Sequence, residues 1–199
     1  MKIFLIGRHC SGKGEVLNIL DSMGIKVGRE FSNLPQYEPN IYIDEKYERY
    51  SADDVEKIFE QNSYMYIGGF NEFGILDGYE YYRGLSYYTY DNSDVMSLTP
   101  EALVSINKKL VKDPVLFVWM DSSRDSRIRR YVDESRQYDF AVIENRESLY
   151  DRDFIKHLRN FKSEGMLYFN NEEPGRIAAI IASIIMHPDL AKIFIENFN

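Results

Sequence analysis

The sequence predicts a three-layer α/β fold with a central parallel sheet and an inserted tyrosine-rich lobe. Three observations predict it. Short apolar runs alternate with segments whose apolar residues recur at helical spacing, the order expected of strand–helix–strand units. The first apolar run, Ile3-Phe4-Leu5-Ile6, passes straight into a glycine-rich turn and then into a helical pattern. Many of the 16 tyrosines fall between Tyr37 and Tyr90, so that stretch differs in architecture from the rest.

Each element follows from local chemistry. Lys2 to Ile6 reads as a buried parallel strand, because a short all-apolar run needs cover on both faces. Beyond Gly12, Val16, Leu17, Ile19, Leu20 and Met23 form a helical apolar face, and Gly24 supplies the stop. Ile25 to Val27 starts a second strand. Residues 29–50 are polar, carry Pro35 and Pro39, and read as a loop-rich excursion. Ser51 can cap a helix with Asp53 and Asp54 in its first turn, where negative charge suits the helix dipole. Val55, Ile58 and Phe59 make its apolar face. Residues 63–90 are rich in Tyr, Phe and Ile and broken by Gly68, Gly69, Gly74, Gly78 and Gly84, the composition of a small antiparallel sheet.

Thr99 and Pro100 open a further helix that runs to about Leu110. Val115 to Met120 is the strongest strand in the chain. A charged helix follows from about Ser123 to Arg136, then a strand from Phe140 to Ile143 and a helix over 150–162. Met166 to Phe169 is the last strand, 174–186 an apolar helix opened by Pro174, and 188–197 a final short helix. The chain reads as one domain over 1–199, with an inserted lobe at about 29–90 and a short lid region at about 122–137.

Composition bounds the function. With 199 residues and 44% hydrophobic content, one medium domain can build a core. A net charge of −8 and a pI of about 5.0 argue against extended nucleic acid or an anionic membrane as the primary partner. A small anion is still admissible, because a local pocket of arginines and backbone N–H groups overrides the global sign. The single cysteine excludes an intrachain disulfide and fits a reducing compartment. No 18-residue apolar run is present, and the apolar start is too short for a signal peptide. A cytoplasmic protein is expected.

The turn after the first strand reads Gly7-Arg8-His9-Cys10-Ser11-Gly12-Lys13-Gly14. It matches the phosphate-binding pattern G-x-x-x-x-G-K-[ST] at Gly7, Gly12 and Lys13, with Gly14 in the hydroxyl position. Glycines let the chain curl so that successive N–H groups point at phosphate oxygens, and the helix N-terminus adds partial positive charge. Lys13 would neutralise the β- and γ-phosphates. The plain alternative is a glycine-rich turn, against which the strand before and the helix after speak. The fold class therefore narrows to a P-loop NTPase-like one. Nucleotide-binding candidates are Gly7, Ser11, Gly12, Lys13, Gly14 and Glu15, although the Glu15 carboxylate suits solvent as well as a metal ion. Gly14 removes the usual Mg²⁺ hydroxyl, which leaves phosphates, water or a carboxylate to hold that ion.

Four segments together resemble guanylate kinase and related nucleoside monophosphate kinases. They are the P-loop, with Gly-Lys-Gly as in the adenylate-kinase-like group; Ser51 to Phe59, like the helix introducing the acceptor lobe; Gly84-Leu85-Ser86-Tyr87-Tyr88-Thr89, like G-x-x-Y-G-[TS]; and Tyr138-Asp139-Phe140-Ala141-Val142-Ile143-Glu144-Asn145, like Y-D-[YF]-x-[VI]-x-N. The resemblance implies transfer of the ATP γ-phosphoryl group to a nucleoside monophosphate of the GMP or dGMP kind, with Mg²⁺. Partners would be small-molecule nucleotides, and the protein a monomer or homodimer.

It also implies roles for residues. Lys13 would follow the transferred group, and Arg127, Arg130 and Arg136 would act as lid arginines, with Arg124 and Arg129 on the same helix. Arg127 and Arg130 share a face by i, i+3 spacing; the alternative is a solvated helix paired with Asp125, Asp133 and Glu134. On the acceptor side the candidates are Arg29, Ser32, Tyr87 and Thr89, with Asp77 or Glu80 for a guanine edge. The pattern departs at residues 30–38, which lack the family's two arginines, and at Val95 to Thr99, which lacks its aspartates unless Asp94 replaces one. A guanylate-kinase-like binding module and a P-loop kinase with another acceptor therefore stay open.

Other candidates carry plainer readings. His9, His157 and His187 lack metal-ligand spacing, and His9 suits solvent better than phosphate. Cys10 beside a helix N-terminus reads as a loop filler. Trp119 reads as core, and Ile177 to Met186 as a helix face packed on the sheet.

Overall fold

The computed structural model describes residues 1–8, 10–29, 31–32, 48–49, 64–70, 81–98, 113–133, 166–170 and 173–198. Strand β1 (Lys2–Gly7) is its centre, and every side chain from Ile3 to Ile6 is fully buried. β1 pairs in parallel with β7 (Val95–Leu98) on one side and β8 (Val115–Asp121) on the other. β2 (Val27–Gly28) extends the sheet beyond β7, and β9 (Met166–Asn170) extends it beyond β8. The order is β2-β7-β1-β8-β9, with all pairs parallel.

Alternation along β1 splits the core. Ile3 and Leu5 face a cluster built from α1 (Lys13–Ser22) and α4 (Pro174–Met186), including Val16, Leu17, Leu20, Ile177 and Ile181. Phe4 and Ile6 face the other side, where Met96, Leu98, Trp119, Met166, Leu85 and Tyr90 close around them. Phe4 stacks on both Tyr90 and Phe117, with ring centroids 6.3 and 5.9 Å apart. A run buried on both faces has no polar side to show, which is why it reads as continuously apolar.

Helix starts follow their chemistry. Pro174 stands at the first position of α4, where its fixed φ suits the helix and its missing N–H costs nothing. Ser123 accepts from Ser126 N at 3.2 Å and opens α3 (Arg124–Asp133). α5 (Leu190–Phe198) ends the described chain. No helix among the described residues is long and apolar enough to cross a membrane.

A second, four-stranded sheet holds β3 (Phe31–Ser32), β4 (Glu48–Arg49), β5 (Tyr64–Phe70) and β6 (Tyr81–Ser86) in the order β4-β3-β6-β5. β5 and β6 are antiparallel, as their composition predicts. The loop-rich stretch 29–50 also holds the two-residue strands β3 and β4, which pair in parallel. One expectation needs correction. The sheet ends at Ser86, and Tyr87–Asn92 is a helix, α2, rather than strand. Ser86 accepts from Thr89 N at 3.1 Å, so a local cap overrides the strand preference of the tyrosines. The helices expected at 51–59, 99–110 and 150–162 and the strand at 140–143 lie outside the described residues.

Candidate functional site

Strand order reverses about β1: β7 and β2 lie to one side, β8 and β9 to the other. In open parallel sheets such a reversal leaves a crevice at the carboxyl ends of the strands. The loop from Gly7 to Lys13 sits there. Gly7 pairs with Met120, and a Cβ on Gly7 would collide with the Met120 carbonyl oxygen and stand 2.7 Å from Ser11 Oγ. Only a residue without a side chain fits that approach.

The loop then curls through two left-handed residues, Cys10 (φ 55°) and Gly12 (φ 95°). Such turns aim neighbouring N–H groups inward, toward where an anion would sit. Gly12 is the N-cap of α1 and offers no side-chain cap, which leaves the start of the helix open to an outside acceptor. Lys13 is folded across the loop. Its Nζ donates to Gly7 O at 2.6 Å, Arg8 O at 2.8 Å and Ser11 Oγ at 3.4 Å. Ser11 and Gly14 are buried, and Glu15 is exposed.

Three elements meet over Gly12. Arg130 Nη1 of α3, Met120 Cε of β8 and Pro174 Cγ of α4 would each lie 3.7 Å from a Cβ built there. Arg130 Nη1 donates to Cys10 O at 2.9 Å. Arg127, one turn earlier, does not join it. Arg127 is 3% exposed, and its guanidinium donates to Ser122 O and lies 3.7 Å from Asp121 Oδ1. The two arginines stand one turn apart on α3 as their spacing predicts, but their guanidinium groups part: Arg127 meets a carbonyl and a carboxylate at the end of β8. Arg124 and Arg129 are exposed, and Arg136 lies outside the described residues.

Sequence reasoning missed Asp121 and Tyr168. Asp121 Oδ1 accepts from Ser122 N at 2.8 Å and Oδ2 accepts from the Tyr168 hydroxyl at 3.3 Å. Burial, then the Asp121 carboxylate, pushes the Tyr168 phenol up, against a smaller downward pull from Arg8. Ser122 Oγ is buried with no partner among the described residues. The available signal was position, since both Asp121 and Tyr168 stand near the carboxyl ends of parallel strands.

The acceptor-side candidates scatter. Arg29 Nη2 donates to Asn18 Oδ1 of α1 at 3.2 Å. Thr89 is 6% exposed and its hydroxyl bonds Ser86 Oγ at 2.9 Å, so it serves the start of α2. Tyr87 is half-buried; burial first, then Asp91, raises its phenol. Ser32 pairs with Arg49 of β4 and with Arg83 of β6. Asp77 and Glu80 lie outside the described residues.

A central five-stranded parallel sheet, a glycine loop at its reversal point and a second small sheet define a mixed α/β fold of the guanylate-kinase-like P-loop type. Among solved structures the chain is similar to the crystal structure of guanylate kinase from Anaplasma phagocytophilum, with a TM-score of 0.51, 14% identity, and coverage of 94% of this chain and 85% of that one. At that identity the likeness shows the fold. No family model matches the chain, and no curated protein matches it.

Proposed function

We propose that the chain is a nucleotide kinase that transfers the γ-phosphoryl group of ATP to a nucleoside monophosphate of the GMP or dGMP kind. The observation that carries this is the curled loop with Lys13 at the reversal point of a guanylate-kinase-like fold. An acceptor phosphate oxygen attacks Pγ, the bond from Pγ to the bridging oxygen breaks, and ADP leaves. Lys13 exchanges its loop carbonyls for the β- and γ-phosphates and follows the transferred charge. Arg130, already at the loop, supplies the second cation, with Arg136 further along. The loop N–H groups and the start of α1 hold the donor phosphates.

Acceptor binding falls to the inserted lobe at 29–90, with the region 122–137 as lid. Residues 30–38 lack arginine, and Arg49 and Arg83, in backbone register with Ser32, are the candidates to supply that charge. Tyr87, Asp77 and Glu80 remain the candidates for the phosphate and base edges. Arg29 is a weaker one, given its bond to Asn18.

Mg²⁺ supplies charge neutralisation on the triphosphate when bound. The described residues fit it poorly as protein ligands. Gly14 has no hydroxyl, both Asp121 oxygens are engaged, and Glu15 is exposed on α1. The ion would be held by phosphate oxygens and water.

A coupled assay of ADP release against a panel of nucleoside monophosphates tests the proposal. Turnover with GMP or dGMP is expected; a folded chain that turns over none of them sinks it. The missing hydroxyl at Gly14 and the arginine-free segment 30–38 favour a second reading, a binding module of the same fold. Calorimetry separates the two, because a module binds no ATP.

A further inference from the structure

Arg127 stands apart among the described residues as a buried charged side chain. It sits on a helix whose arginines at 124 and 129 are exposed and whose Arg130 reaches the P-loop. Among the described residues it meets the Ser122 carbonyl and the Asp121 carboxylate. Asp121 is in turn tied to Ser122 N and to the Tyr168 hydroxyl of β9. The guanidinium therefore spans the junction between the last residue of β8 and the first turn of α3.

One turn further along, Arg130 Nη1 holds Cys10 O. Cys10 is a non-glycine residue at φ 55°, a conformation its neighbours must hold in place. Residues three apart on a helix move as one body, so whatever fixes Arg127 also fixes how far Arg130 can reach. A buried ion pair is weak evidence for stability, because desolvation offsets its attraction. A leucine would fill the space without pinning the junction. What the guanidinium adds is orientation.

We propose that Arg127 is a positioning residue: it pins the first turn of α3 to Asp121 and Ser122, sets Arg130 on the Cys10 carbonyl, and so holds the loop curled. The inference rests on the kinase reading only for its catalytic consequence, since pin and clasp are contacts within the chain itself.

Cys10 provides the readout, as the only cysteine in the chain and 8% exposed. Its alkylation rate by iodoacetamide reports how well the loop is held. Losing a charge-assisted hydrogen bond in Arg130→Ala should raise that rate about tenfold. Arg127→Leu should raise it to the same degree, and the double variant no further, because both act through one contact. Arg127→Lys keeps the charge but not the fork, and should fall between.

Parent-like alkylation in Arg127→Leu beside a fast Arg130→Ala overturns the proposal, as does a double variant whose acceleration is the product of the singles. If Arg127→Leu loses its circular dichroism signal, Arg127→Lys decides instead: a parent-like rate overturns the idea and a faster one supports it. Calorimetry with ATP on the parent chain keeps the two readings apart. Absence of binding removes the kinase reading and leaves the thiol comparison to decide the relay.

Discussion

Replacing Gly7 with alanine tests the geometry on which the candidate site depends. The new methyl would fall on the Met120 carbonyl oxygen and within 2.7 Å of Ser11 Oγ. Neither neighbour is the loose end of a flexible side chain. Met120 O belongs to the strand paired with β1, and Ser11 is buried beneath Lys13. The carboxyl ends of β1 and β8 must part, or the loop must lift. Overpacking costs about 1–3 kcal/mol, and a backbone obstacle places this case near the upper end. For a chain of this length each kcal/mol shifts Tm by about 2–4 °C, so a drop of roughly 6–12 °C is expected.

Trp119 makes the measurement simple. It is the only tryptophan, is 2% exposed, and pairs with Ile6 beside the altered position. Its fluorescence on heating reads the transition. Two glycines act as controls. Gly24 has φ 80° and no atom within 4 Å of an added Cβ, so alanine there meets only left-handed strain, about 1 kcal/mol. Gly175 lies in α4 with equally open space, and alanine there should stabilise by about 0.5–1 kcal/mol. A Gly7→Ala protein that melts within about 2 °C of the parent refutes the close approach. So does a Gly24→Ala protein that loses as much as Gly7→Ala.

Lys13→Ala should weaken ATP binding about 10- to 100-fold by calorimetry, the loss of hydrogen bonds to charged phosphate, with thermal stability nearly unchanged. Unaltered affinity would remove Lys13 from the donor site. Arg83→Ala and Arg49→Ala should each raise the acceptor KM about tenfold and leave the ATP KM in place; a rise in the ATP KM instead would place these arginines on the donor side. The phenols of Tyr90 and Tyr168 are raised above 10.0, both chiefly by burial, so the folded state favours their neutral forms. That contribution is fully present below pH 10 and falls as pH rises through 10 toward the folded values. Urea unfolding followed by Trp119 fluorescence should show a shallower alkaline loss in Tyr90→Phe/Tyr168→Phe; equal losses in the two proteins would contradict the burial argument.

Elements defined by their own residues were legible. The helix expected over 174–186 is observed at Pro174–Met186, because Pro at the first position and a continuous apolar face are local signals. β1 and β8 were legible for the same reason, as strands buried on both faces. α2 was not, since a tyrosine-rich stretch favours strand and one serine cap reversed it. β3 and β4 were missed because two-residue strands exist only through partners far along the chain. The Tyr168–Asp121 bond joins residues 47 apart, and neither end carries a local mark of the other.

The site divides along the same line. Phosphate is bound by backbone, and backbone geometry makes demands that glycines record at fixed spacing; Gly7, Gly12 and Lys13 alone make the loop legible. A guanidinium records no such demand. Arg127 and Arg130 are the same residue type, one turn apart on one helix, yet one is bound to the end of β8 and the other reaches the loop. Their difference lies in which acceptor sits within reach of each fork, a property of packing between α3 and the sheet. Arg49 and Arg83 likewise come into register with Ser32 only when three strands pair, which no local pattern marks. Sequence therefore marks the backbone of this loop well and the reach of the arginines around it poorly, and the variants of Arg127, Arg130, Arg49 and Arg83 are the ones that carry information the motif does not.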